Sequence, residues 1–394
     1  MEILLYLTYI AVILLIGIIC TLISRYLKIP SMLILLIVGI IINRLGYSTL
    51  ISSNVLLASI AILALVMIVF DSFSRFKFKE FDTLSIRALK LAFIFLILNL
   101  IFLSISAFHI FKISSIALVL LFSVLMSSTS PASLLAIFKE KKKRLVKMLE
   151  IESIINTPLM ILIVFMILEI INSATTSISP LFTEQTIQLL QSFFLGIGVG
   201  LLIGIVSLKI IRKKYSYVKS PLIVIISALL AYVLAENLNG SGVFAIIVIG
   251  LIFGSFYLKE KELLHEFSAI FSNSLEILIL ILIAVIIELP LNKGFIVNSL
   301  TLFLIFILIR FFAIMLSFSH KDFTLKEKMF MSLNVQKGIA VAVVLFSLLM
   351  LEKNIFNPAD ITILSQLTLA FLLYSVIISA VILPFSKYFI EAKQ

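Results

Sequence analysis

Leu149 to Phe165 read "LEIESIINTPLMILIVF". The second half is pure hydrocarbon. A carboxylate (Glu152), an amide (Asn156), a hydroxyl (Thr157) and a proline (Pro158) run straight into it. A charge at the centre of a membrane helix costs ~2.5–3.5 kcal/mol on insertion scales, so a charged residue there is a functional hypothesis by default. Glu152 and Asn156 stand four residues apart and share one helix face.

The rest of the chain decides whether this is a membrane helix. Of 394 residues, 62% are hydrophobic and 13% charged, against about 25% charged in a soluble domain. Apolar runs of about 18 residues or more recur from end to end, and each is a spanning-helix candidate. The expected fold class is therefore an all-α polytopic membrane protein. We read about thirteen spans, near 3–24, 31–43, 55–73, 88–108, 114–138, 146–171, 189–210, 221–236, 242–256, 267–289, 295–318, 329–351 and 364–384, with ends good to ~2–4 residues. The second, eighth and ninth are short for a bilayer that needs ~20 residues. The first segment is too long for a cleaved signal and has no basic start. Cys20 is the one cysteine, which rules out an intrachain disulfide and a cysteine metal site.

The net charge of +11 is a topology signal. Loops after odd-numbered spans carry Arg25 and Lys28, then Arg75, Lys77, Lys79 and Arg87, then Lys139 and Lys141 to Arg144, and so on to Lys328. Loops after even-numbered spans are nearly bare. By the positive-inside rule the N-terminus is expected outside and the C-terminus in the cytoplasm, in the cytoplasmic membrane. Basic charge so spent gives no reason to expect a nucleic-acid partner. An odd number of spans suggests two inverted six-helix repeats, residues 1–172 and 219–394, joined by a linker span within 173–218. "LIVGIIIN" ends span two and "IVIGLIFG" ends span nine, its counterpart. The linker carries Gly196, Gly200 and Gly204, a small-residue face for close helix packing.

Polar groups of five spans fall at one depth, counting ~1.5 Å per residue. They are "SSTSP" (Ser127–Pro131) in span five, Glu152, Asn156 and Thr157 in span six, Glu276 in span ten, Arg310 in span eleven, and Gln336 to Gly338, with Lys337, in span twelve. Pro131 and Pro158 each remove an N–H and clash with the carbonyl four residues back, so each helix is expected to kink or open. Broken backbone at this depth belongs where it is buried in protein or lines a cavity. Freed carbonyls with the hydroxyls of Thr129, Ser130 and Thr157 would be hard ligands for a small cation. Single serines and threonines more often bond a backbone carbonyl. Asp71, Glu169, Glu236 and Glu288 lie near span ends, where structural roles fit. His109, His265 and His320 sit at interfaces, and no metal cofactor is expected.

At this point the chain resembles the monovalent cation:proton antiporter superfamily, in its sodium/proton exchanger branch, over nearly its whole length. "LKIPSMLILLIVGIIIN" is similar to the family's second span, "SGVFAIIVIGLIFG" to its Ser-Gly-apolar-Ala…Gly pattern, and "NVQKGIAVAV" to a basic-Gly-apolar-Ala motif with Lys337 where many members have Arg. "VFDSFSRFKFKEFDTLSIRALKLA" resembles the segment after span three, with Ser72 and Phe73 in place of glycines. "TSP" stands where the family often has Thr-Asp-Pro, and "ESIINTP" where it has Glu-Ser, two apolar residues and Asn-Asp. Ser130 and Thr157 thus replace the family's usual aspartates. The resemblance implies broken helices near the midplane, a homodimer in the bilayer, and exchange of a monovalent cation, Na+ first, for H+ by alternating access. It implies that Thr129, Ser130, Glu152, Asn156 and Thr157 line the ion site and that Glu152 pairs with Lys337. The proton carrier would be Glu152, with Lys337 and then Glu276 as alternatives, and Arg310 matching a basic residue of span eleven.

Two rival readings stay open. Without its aspartates the same fold would carry another ion, or a cation uncoupled from protons. A membrane-embedded enzyme would want a nucleophile with its base, or a metal set; a respiratory proton-pumping subunit would also carry intramembrane Lys and Glu.

Overall fold

The computed structural model describes residues 2–27, 29–46, 54–75, 83–130, 144–176, 182–213, 219–255, 261–319, 322–351, 356–385 and 389. Their regular elements are helices: α1 (Glu2–Leu27), α2 (Ser31–Arg44), α3 (Asn54–Ser74), α4 (Thr83–Leu98), a π turn (Asn99–Leu103), α5 (Ser104–Phe111), α6 (Ile116–Leu125), α7 (Arg144–Thr176), α8 (Phe182–Lys213), α9 (Lys219–Asn237), α10 (Gly242–Ser255), α11 (Lys261–Ile286), α12 (Lys293–Ser317), α13 (Leu325–Leu333), α14 (Ile339–Leu351) and α15 (Pro358–Ile382). A short 3-10 turn, Leu383–Phe385, follows. Eight helical stretches are long and apolar enough to cross a membrane by length and composition, and five further apolar helices are shorter. Together they match the expected spans one for one. The eighth is longer than expected, at 19 residues. Pro131 and the basic run from Lys139 to Lys143 lie outside the described residues.

The chain divides into two compact units, one of Met1–Asn54, Asp82–Met160 and Ile277–Gln394, the other of Val55–Phe81 and Ile161–Glu276. The division falls inside α7 and α11.

The first unit is built on aromatic packing. Phe95 of α4 meets Phe306 of α12 with ring centroids 5.7 Å apart, and Phe111 of α5 meets Phe295 at 5.9 Å. Rising numbers on one helix against falling numbers on the other make the two antiparallel. Phe371 of α15 takes the edge of Phe303 at 5.2 Å and of Phe122 in α6 at 5.2 Å. Edge contacts of this kind contribute ~0.5–1.5 kcal/mol each beyond burial. Two glycines set the closest approaches: a Cβ on Gly39 would come 2.8 Å from the Ile281 carbonyl, and one on Gly17 would overlap the Ile277 side chain.

In the second unit the glycine face of α8 does what small-residue stripes do. A Cβ on Gly196 would lie 2.4 Å from the Ser241 carbonyl, and one on Gly200 would lie 2.5 Å from that of Ala245. The stripe seats α8 on α10. Gly250 of α10 approaches α3 in the same way, its Cβ position 2.8 Å from Phe73.

Candidate functional site

The site belongs to the first unit and begins where two helices stop. α6 ends at Leu125, because the serines after it offer the backbone other bonds. Ser127 donates its hydroxyl to the Val124 carbonyl at 2.6 Å, and residues 128–130 run on without helical structure. α13 ends at Leu333, and α14 starts at Ile339. Between them "NVQKG" is non-helical. The two breaks touch: the Ser130 N–H donates to the Gln336 carbonyl at 2.7 Å. Gly338 lies close against this contact, since a Cβ on it would sit 3.3 Å from that of Ser130.

Lys337 is fully buried in the second break. Its ammonium donates to the carbonyls of Met126 and Ser128, the latter at 2.9 Å, and sits 4.2 Å from the centre of the Phe306 ring. The last carbonyls of a helix lack intrahelical partners and carry partial negative charge, so the lysine caps α6. Its own N–H donates to the Ser375 hydroxyl at 3.1 Å.

Glu152 is also fully buried and paired, but with Arg310. Nη1 of Arg310 donates to Oε1 at 2.6 Å and Nη2 to Oε2 at 2.7 Å. The Phe95 ring covers the guanidinium at 4.6 Å. Thr129 donates a longer bond of 3.4 Å to Oε1. This corrects the expected pairing of Glu152 with Lys337. The lysine stands in a helix break whose carbonyls claim it, while the planar fork of arginine fits both oxygens of a carboxylate.

Asn156 donates to the Ser127 carbonyl at 2.6 Å, and its buried Oδ1 has no partner among the described residues. Ser128 and Thr157 share a hydroxyl–hydroxyl bond of 3.2 Å. The four-residue spacing that put Glu152 and Asn156 on one face thus aims both at the α6 break. Pro158, where a kink or an opening was expected, does not open its helix. It lies inside α7, which continues helical across it to Thr176. The proline removes one donor without stopping the helix, and the break falls in span twelve, at an Asn-to-Gly stretch with no proline.

Thr129, Ser130, Glu152, Asn156, Thr157, Arg310 and Lys337 therefore all fall in the first unit, linked through the two breaks. Glu276 falls in the second unit. Sequence reasoning missed the carbonyls of Met126 and Ser128 as partners of Lys337, and the rings of Phe95 and Phe306 over the two cations. Backbone carbonyls leave no mark on sequence, and among 34 phenylalanines nothing singles out these two.

A sequence profile described as sodium/hydrogen exchanger, transmembrane, matches residues 10–388. The chain belongs to this family. The low-affinity Na+/H+ antiporter NhaS1 of Synechocystis is 32% identical over 178 residues, 42% of this chain and 33% of that protein. The Na+/H+ antiporter NhaH of Halobacillus aidingensis is 27% identical over 321 residues, 75% of this chain and 78% of that one. The K+/H+ antiporter NhaP of Alkalimonas amylolytica is 27% identical over 260 residues, 64% of this chain and 44% of that one. Some of these relatives are thus matched over less than half their length. The solved sodium proton antiporter MjNhaP1 of Methanocaldococcus jannaschii superposes with a TM-score of 0.78 at 22% identity, over 97% of this chain and all of that one. That likeness establishes the sodium/hydrogen exchanger fold for this chain.

Proposed function

We propose that this chain exchanges a monovalent cation for protons across the cytoplasmic membrane, by alternating access around the crossed breaks. The carrying observation is the Ser130–Gln336 contact, which brings two interrupted helices together beside the buried Glu152–Arg310 pair and Lys337. Interrupted helices of this kind are where secondary transporters bind their ions. The cation ligands we assign are the oxygens of Thr129, Ser130, Glu152, Asn156 and Thr157. The unpartnered Oδ1 of Asn156 supports this. Arginine keeps its charge at any accessible pH, so the exchanged proton falls to Glu152 or Lys337, with Glu276 of the second unit as the reserve acid.

The inverted repeat is part of the same reading. Span two approaches span ten through Gly39, and span nine approaches span three through Gly250. Exchanging the repeats exchanges these contacts. The basic loops support an external N-terminus and a cytoplasmic C-terminus. A homodimer rests on the family resemblance.

A second reading keeps the fold and drops the coupling. It is favoured by Ser130 and Thr157, which leave the α6 break with hydroxyls and no carboxylate beyond the paired Glu152. One assay separates the two. Purified protein in vesicles containing a pH dye is challenged with Na+, K+ and Li+ gradients. Antiport moves protons against at least one of them. Cation uptake with no proton counterflow establishes the second reading instead.

A further inference from the structure

Asn99 is fully buried, and neither end of its amide has a hydrogen-bond partner among the described residues. It opens the π turn Asn99–Leu103. Buried polar atoms left unpaired carry their whole desolvation cost, and π turns inside helices concentrate at functional positions. Arg310 shows a matching deficit: Glu152 takes Nη1 and Nη2, while the buried Nε has no partner among the described residues.

Helix register sets the two on facing stretches. The Phe95–Phe306 and Phe111–Phe295 contacts make the α4–α5 stretch antiparallel to α12. Asn99 lies one turn beyond Phe95, across from the turn that includes Phe303 and Phe306. Helical side chains lean toward the N-terminus of their own helix. In this antiparallel pair Asn99 leans toward Phe95 and Arg310 leans toward Phe306, so the two lean toward each other. The Phe95 ring, one turn before Asn99, lies 4.6 Å from the guanidinium. The hydroxyls nearest in sequence on α5 and α6, Ser104 and Ser123, bond each other at 2.7 Å.

We propose that one buried water joins Asn99 to Arg310, and that Asn99 is through it a positioning residue for the Arg310–Glu152 pair. The water accepts from Asn99 Nδ2 and Arg310 Nε and donates to Asn99 Oδ1. Buried waters typically make about three such bonds, and this one satisfies each of the orphaned atoms. Its effect is to hold the guanidinium plane, so that the Nη fork keeps meeting both oxygens of Glu152. The antiport reading is needed only for the rate measurement below.

The test is a cryo-EM map of the protein in a nanodisc, fine enough to show ordered water, together with Na+-driven exchange in vesicles. The wild-type map shows one water within hydrogen-bond distance of the Asn99 amide and Arg310 Nε. In Asn99→Leu the water is gone and Arg310 no longer meets both Glu152 oxygens. The maximal exchange rate of that variant falls at least fivefold, with half-saturating Na+ within twofold, and Asn99→Ser recovers most of the rate. A dry wild-type site overturns the water. An unchanged Arg310–Glu152 geometry or an unchanged maximal rate in a folded Asn99→Leu variant overturns the positioning role. Should that variant not fold, the wild-type map decides the water, and the rate and Arg310 geometry of Asn99→Ala decide the positioning. Wild-type vesicles that exchange nothing strike the antiport reading alone, and the maps still decide this one.

Discussion

Glu152 and Arg310 show how a charge survives in this core. Each is fully buried, and each would be costly alone. Breaking a buried pair from one side costs ~3–5 kcal/mol, because a bare charge stays behind, while replacing both partners by apolar residues can be neutral. Arg310→Leu is therefore expected to lower the thermal unfolding midpoint in detergent sharply, and Glu152→Leu with Arg310→Leu to recover most of it. A double variant as unstable as the single one would mean the pair contributes more than mutual neutralisation. Transport separates from stability here: the stable double variant is still expected to exchange nothing. The positions of these residues were legible in the sequence, because a charge inside a hydrocarbon run is conspicuous. Their pairing was not. Lys337 and Arg310 were both eligible partners for Glu152, and the choice turned on the carbonyls of Met126 and Ser128.

Helices end and meet for local reasons that differ in how far the sequence shows them. The α8 glycine stripe was readable as a packing face, and its contact with α10 is close enough to test. Gly200→Leu places a side chain where a Cβ alone comes within 2.5 Å of the Ala245 carbonyl, so α8 must lift from α10. We expect at least a several-degree loss in the unfolding midpoint, whereas Gly198→Leu, with open space at its Cβ, should change it little. The end of α12 carries a second device. Asp322 accepts from the Ser319 hydroxyl at 3.0 Å and its N–H at 3.1 Å, and pairs with Arg87. The two Ser319 bonds first, and the Arg87 charge after them, hold its carboxyl below the usual range. A lowered carboxyl stabilises the fold above its unfolded value of about 3.9 and loses that contribution as pH falls through the lowered value. Amide exchange at Ser319 should therefore quicken in Asp322→Asn at pH 7, while once pH has fallen through the lowered value the two proteins converge. Equal protection at pH 7 would show that the carboxylate does not hold this loop. Pro158 costs a helix one donor without stopping it, whereas "NVQKG" stops one with an asparagine and a glycine that any loop would share.

The whole molecule combines a fold shared with the sodium/hydrogen exchangers and helix breaks that carry Ser130 and, beside them, Thr157. Length and hydropathy were enough to place the eight long apolar helices and the five shorter ones, since a bilayer imposes its thickness on a span. The division into two units was not readable, because it falls inside the continuous helices α7 and α11 and not at a linker. The proposed exchange chemistry was readable only in part: hydroxyls at Ser130 and Thr157 cannot titrate, which leaves Glu152 and Lys337 as first candidates and Glu276 in reserve. Lys337→Arg keeps the charge in the α6 break and cannot release a proton; Glu152→Gln keeps the shape and removes the acid. If one of them carries the proton, its variant alone should lose exchange more than tenfold beyond what its folding explains. The most direct measurement of the central claim is proton movement in sealed vesicles of the wild-type protein when an outward Na+ gradient is imposed and then reversed. Protons are expected to move opposite to Na+ and to reverse direction with the gradient. Na+ flux with a still pH signal, repeated with K+ and Li+, would contradict it.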